Sequence, residues 1–147
     1  MEPLDLTAHP PRGPRETLLD CVFLPRTIDK IRAELPGGKL GAYVVEGPRS
    51  ISAWLLHKLK IDVDELRDVV ARAADEREVE AWLRERVDPN VVGEINKKLA
   101  ASRVDTLPPA EWEFVANLHP ILRERDDIKT TYELLEADDA VAFGRPR

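Results

Sequence analysis

Cysteine is almost missing from this sequence. Cys21 stands alone, so no internal disulfide can form. A single thiol suits a reducing compartment. Long apolar runs are missing too. The longest are about four residues, such as Cys21-Val22-Phe23-Leu24, whereas a membrane-spanning helix needs about 20. The start, Met1-Glu2-Pro3-Leu4-Asp5, has neither the basic residues nor the apolar stretch of a secretory signal. These absences predict a soluble, cytoplasmic protein with no membrane partner. Histidine is sparse, and His9, His57 and His119 are far apart with no His-x-x-x-His pair. No zinc-ligand spacing exists, so neither a metal nor another cofactor is expected. Internal repeats and low-complexity tracts are also absent.

What is present is charge and aliphatic side chains. Of the 147 residues, 34% are charged and 43% hydrophobic, which fits an ordinary globular chain. The net charge of -6 is unevenly spread. Residues 1–40 are neutral and 41–60 carry +2, while 61–100 and 101–147 carry -4 each. A nucleic-acid partner wants a basic face, and this balance argues against one.

Residues 1–48 hold seven of the twelve prolines and five of the seven glycines. Residues 1–13 read as an extended arm packed on the rest, because Pro10-Pro11 and Gly13 forbid a helix. Pro14 suits the first turn of a short helix through Val22. Pro25 opens a second helix whose Ile28, Ile31 and Leu35 share one face. Pro36-Gly37-Gly38 ends it, with glycine in the left-handed conformation. Leu40–Val45 is at most a short extended segment.

The remainder reads as helices. Ile51, Trp54, Leu55 and Leu59 share a face. Asp62 with Glu65, and Asp75 with Glu78, have capping-box spacing. Asp88-Pro89 starts the next helix, and Thr106–Pro109 another that Pro120 stops. A last helix covers 131–137, with Tyr132 and Leu135 inward, and 140–147 is expected to fray. The expected fold is all-α: one domain over 1–147 with about six to seven short helices.

Familiar catalytic patterns fail on inspection. Gly37-Gly38-Lys39-Leu40-Gly41 lacks the spacer and the hydroxyl residue of a phosphate-binding loop. Ser50, Ser52 and Ser102 sit in no Gly-x-Ser-x-Gly elbow. Cys21, between Asp20 and Val22-Phe23, reads as a buried structural thiol. Asp126-Asp127 and Asp138-Asp139 read as surface caps. Trp54, Trp82 and Trp112 fall on apolar helix faces and read as core.

One segment stands out: Pro25-Arg26-Thr27-Ile28-Asp29-Lys30-Ile31-Arg32. Arg26 and Lys30 are four apart on one helix face, opposite the isoleucines. Cations near a helix N-terminus conflict with the helix dipole. A bound anion would remove that conflict. The bland alternative is a surface ion pair of Arg26 with Asp29, worth about 0–1 kcal/mol.

Leu4-Asp5-Leu6-Thr7, Pro10-Pro11-Arg12, Pro14-Arg15, Leu24 through Ala33, and Gly41-Ala42-Tyr43 together resemble the bacterial domain of unknown function 5069 family. Thr130 through Asp138 is similar to that family's C-terminal helix. Two places depart from the pattern: Cys21 stands where a small residue is expected, and Val44–Arg49 replaces a stretch with a Cys-Pro-Leu-Asp flavour. The resemblance implies a short single-domain bacterial protein and supplies no activity. The polar members of its matched motifs are Arg12, Arg15, Arg26, Asp29, Lys30 and Tyr43.

Two functions follow from these readings. In the first, an anionic small molecule sits at Arg26 and Lys30. Arg12 or Arg15 closes over it, Asp29 orients Arg26 or acts as acid/base, and Tyr43 donates a hydrogen bond. Whether chemistry follows binding is left open, since no nucleophile–base pair is visible. In the second, the chain is an interaction or self-association module, a homo-oligomer included, anchored by a tryptophan.

Overall fold

The computed structural model describes residues 1–144, and within them helices dominate. The chain divides into two compact units, Met1–Asn96 and Lys97–Arg147, with the boundary inside one helix.

The first unit opens with the arm. Leu6 is buried, and its N–H donates to the Lys39 carbonyl at 2.8 Å, while Lys39 N–H donates to Leu4 O at 2.9 Å. This bridge at Asp5 and Lys39 is the extended pairing nearest the segment expected at 40–45. Where a short helix from Pro14 to Val22 was expected, the chain instead forms a hairpin. Its strands are β1 (Thr17–Leu18) and β2 (Cys21–Val22), antiparallel, with Thr17 opposite Val22 and Leu18 opposite Cys21. Leu19 and Asp20 form the turn with φ of 53° and 61°, the left-handed values a two-residue hairpin needs. Asp tolerates that region but Leu19 is not a usual choice there, and the turn is held from outside. Asn96 accepts from Val22 N–H at 3.1 Å and donates to Asp20 O at 2.7 Å.

Helix α1 (Leu24–Ala33) follows, with Pro25 in its first turn where no N–H is needed. Nine of its ten residues are buried. The expected solvated face opposite Ile28 and Ile31 is therefore absent. Gly37, at φ +90°, turns the chain after α1 as expected. Next come α2 (Ile51–Leu59), α3 (Val63–Arg72) and α4 (Glu76–Arg84). Ser50, Asp62 and Asp75 cap them, each side chain accepting the N–H three residues on. Glu78 returns its bond to Ala74 N–H at 2.9 Å, one residue before the cap. Leu24, Ile28, Ile31, Leu55, Leu66, Val70, Val79 and Leu83 are fully buried here.

Helix α5 (Pro89–Ala101) starts at the expected Asp-Pro and spans the boundary. The second unit holds α6 (Pro109–Leu118), α7 (Ile121–Glu124) and α8 (Thr131–Phe143). Helix α7 was hidden behind Pro120, and it brings the helices among the described residues to eight. Helix α8 begins with a full capping box, Thr130 with Glu133. It outruns the expected 131–137, so 140–143 form its last turn and Gly144 caps it; the rest of the expected frayed tail, 145–147, lies outside the described residues. Leu134, not Leu135, is buried along with Tyr132. Val104, Ala116, Leu122, Ile128, Leu134 and Ala137 form this unit's core.

Candidate functional site

Helix α1 brings charge into the interior of the first unit. Arg26 is 2% exposed and Lys30 6%. They lie one turn apart, and both face the ring of Phe23. The Arg26 guanidinium is 5.8 Å from its centroid and the Lys30 ammonium 5.2 Å. The guanidinium of Arg26 also lies over the ring of half-buried Tyr43, 5.5 Å from its centroid. Rings of this kind attract cations through their negative faces. Arg26 Nη1 donates to the Arg12 carbonyl at 3.2 Å, and its Nε is buried with no hydrogen-bond partner among the described residues.

Hydroxyls complete the lining. Lys30 Nζ donates to Ser52 Oγ at 3.3 Å, and Ser52 Oγ lies 2.9 Å from Thr27 Oγ1. Thr27 donates in turn to the Phe23 carbonyl at 3.1 Å. Phe23 itself is in the left-handed region, at φ 70°, just before α1. That conformation is costly for a residue with a side chain, and packing around the ring must hold it.

Asp29 serves a different partner from the one expected. Its carboxylate accepts from Arg12 N–H at 2.8 Å and from Arg12 Nη2 at 3.0 Å, with Arg32 at 3.9 Å. The expected surface pair of Arg26 with Asp29 does not form, because both groups are buried and Asp29 is taken by the arm. Arg12 also grips Glu76 of α4 through both Nη1 and Nη2. Burial alone would weaken the Arg12 proton, but bonds to Glu76 and Asp29 outweigh it and raise its pKa. Arg12 is thus a clamp from arm to α1 to α4. Arg15 is exposed.

The structure therefore gathers Arg26, Lys30 and Tyr43 around Phe23, and gathers Arg12 with Asp29 into an adjoining clamp. Sequence reasoning missed Phe23, Ser52 and Glu76. Phe23 read as an apolar core residue, Ser52 was weighed only as a nucleophile without its elbow, and Glu76 carries no sequence signal of its own. It also missed Asp139, read with Asp138 as a surface cap. Asp139 is 2% exposed on α8, while Asp138 bonds His119. The cation pair lies inside the unit rather than around an open bowl. A groove of about 210 Å³ in this unit, at Leu19, Asp20, Arg84 and Val92, is separate from it.

The polar residues at issue sit in the segments that carried the family resemblance. The family model described as Domain of unknown function (DUF5069) matches residues 8–141. The chain belongs to this family. No curated protein matches it significantly. All six polar candidates of this DUF5069 chain fall inside the matched region. Among the described residues, no group of three or more His, Cys, Asp or Glu side chains is placed to hold a metal. None of its described helices is long and apolar enough to cross a membrane. What its interior offers chemically is donors: a planar guanidinium, a compact ammonium and two hydroxyls, the set that grips an oxyanion.

Proposed function

We propose that this chain binds an anionic small molecule, a carboxylate or a phosphate, at Arg26 and Lys30. One observation carries the reading: two cations on successive turns of one helix are buried to 2% and 6%. Burying charge costs several kcal/mol per ion, and hydrophobic residues would pack as well or better. Ser52 adds a hydroxyl, and Phe23 and Tyr43 hold the cations in line. Asp29 acts as a positioning residue through Arg12, and Tyr43 stands where it would edge the ligand. Arg15 joins only if its exposed side chain folds inward. The buried lone thiol favours a reducing, cytoplasmic setting in a bacterium.

The test is thermal unfolding of the full chain against phosphate, citrate, acetate and pyruvate, beside Arg26→Ala and Lys30→Ala. A ligand at 100 times its Kd adds about 2.7 kcal/mol, a rise in midpoint of roughly 5–10 °C. That rise should vanish in both variants. A rise that persists in both variants puts the binding elsewhere. No rise with any anion makes the cation pair structural.

The second reading, an interaction or self-association module, draws on α6. Phe114 and Leu118 are 42% and 58% exposed, one turn apart. Molar mass rising with concentration, together with a flat anion panel, would favour it.

A further inference from the structure

The second unit contains a cleft that the α1 reading does not use. It has a volume of about 560 Å³, within the range of small-molecule sites. Trp112, Leu122 and Ile128 form its apolar wall, and Arg123, Arg125 and Lys129 its cationic side. Trp112 is half-buried, and Leu122 and Ile128 belong to the unit's core, so the wall is rigid.

Each of the three cations already has a partner. Arg125 binds Asp127 through Nε at 2.9 Å and Nη2 at 2.6 Å, which leaves the Nη1 donors without a bond among the described residues. Arg123 uses Nη2 alone, donating to Glu113 at 2.7 Å and Asn117 at 2.8 Å, with its guanidinium 5.2 Å from the Trp112 centroid. Lys129 Nζ donates once, to Asp126 O at 2.7 Å. Each cation is thus oriented by one set of bonds and keeps donors to spare. That is the pattern of a site organised before its ligand arrives.

We propose that this cleft binds a flat-ringed organic anion, an aryl phosphate or aryl carboxylate. The anion would take the spare donors of Arg123, Arg125 and Lys129, and the ring would lie along Trp112 and Ile128. The carboxylates present sharpen the choice. Asp105 has both oxygens bound by Arg103, at 2.8 and 2.7 Å. With Glu124 and Asp126 also lining the cleft, its formal charge is zero. Anions are therefore not concentrated there by field alone. Directed hydrogen bonds and ring burial must supply the affinity, so a bare anion binds poorly. This inference stands apart from the α1 site, since no residue is shared.

The experiment is a titration of phenyl phosphate into the full chain carrying ¹⁵N-labelled tryptophan. Three indole signals are followed, and Trp112→Phe identifies the one that matters. The Trp112 signal should shift saturably while those of Trp54 and Trp82 stay. Arg125→Ala and Lys129→Ala should each weaken binding about tenfold, as loss of a charged hydrogen bond does. Both side chains are exposed, and a helical circular-dichroism signal and thermal midpoint matching the parent's will certify the fold of both units. Arg26→Ala should leave the titration unchanged. Inorganic phosphate should bind about tenfold more weakly than phenyl phosphate. A benzoate arm distinguishes carboxylate from phosphate preference, and saturable binding of either supports the site. No saturable shift at Trp112 with either ring compound overturns the proposal. So does affinity unchanged in both variants, or inorganic phosphate binding equally well.

Discussion

Cys21 is wholly buried at the start of β2, with Sγ 3.6 Å from the Val22 carbonyl. Burial pushes its thiol up to about 12. At pH 8 the thiolate that attacks a disulfide reagent is then about a hundredfold or more scarcer than in the unfolded chain. Native protein treated with Ellman's reagent should stay essentially unmodified, while urea-unfolded protein reacts with one equivalent at once. Rapid release of the coloured thiolate by the native chain would contradict this. The sequence made Cys21 legible, because Val22 and Phe23 beside it are apolar. It did not make Arg26, Asp29 and Lys30 legible as interior residues. Charged side chains at helical spacing look the same on a solvated face as on a buried one. Of their partners, Arg12 stood out only through the family resemblance, and Ser52 and Glu76 come from α2 and α4, where no local pattern marks them. Asp139 was missed for the same reason, beside a neighbour that does lie near the surface.

Helix starts were the most legible elements. Asp62, Asp75 and Pro89 stand where orphan N–H groups need an acceptor or where none is required, and α3, α4 and α5 begin there. The hairpin was illegible, because Leu19 and Asp20 carry no turn signature and Asn96, far along the chain, supplies the hold. Glycine gives an element-scale test. A Cβ built on Gly38 would sit 2.5 Å from the Ala33 carbonyl oxygen, which belongs to the end of α1. Gly93, inside α5, would meet nothing within 4 Å. In urea unfolding, Gly38→Ala should cost roughly 1–3 kcal/mol, as overpacking does. Gly93→Ala should add about 0.5–1 kcal/mol, as helix propensity predicts. Equal effects of the two changes would mean that the turn after α1 is looser than the structure has it.

At the scale of the molecule the question is acid. Hydrogen bonds hold several carboxylates below their usual range: Asp5 through Thr7, Asp105 through Arg103, Glu113 through Arg123 and Asp127 through Arg125. A carboxylate lowered on folding adds stability above its unfolded pKa of about 4, and that contribution fades as pH falls through the folded value. The thermal midpoint should therefore stay nearly flat from pH 7 to 5 and drop below about pH 4. A midpoint that rises on acidification would reverse the sign. Three of the four groups lie in the second unit, so loss of Trp112 fluorescence should accompany the drop. The first unit keeps its charge inside. There Arg12 of the arm grips Asp29 of α1 and Glu76 of α4, while Lys30 reaches Ser52 of α2. Exchange of Arg12 alone strands the Asp29 carboxylate, whose side chain is 6% exposed, whereas Arg12 is a third exposed and keeps Glu76 when Asp29 goes. Sequence drift along α1 is consequently a matter of concerted change: loss of Arg12 becomes tolerable only after Asp29 has become neutral, so the order in which substitutions arrive is itself constrained by the fold.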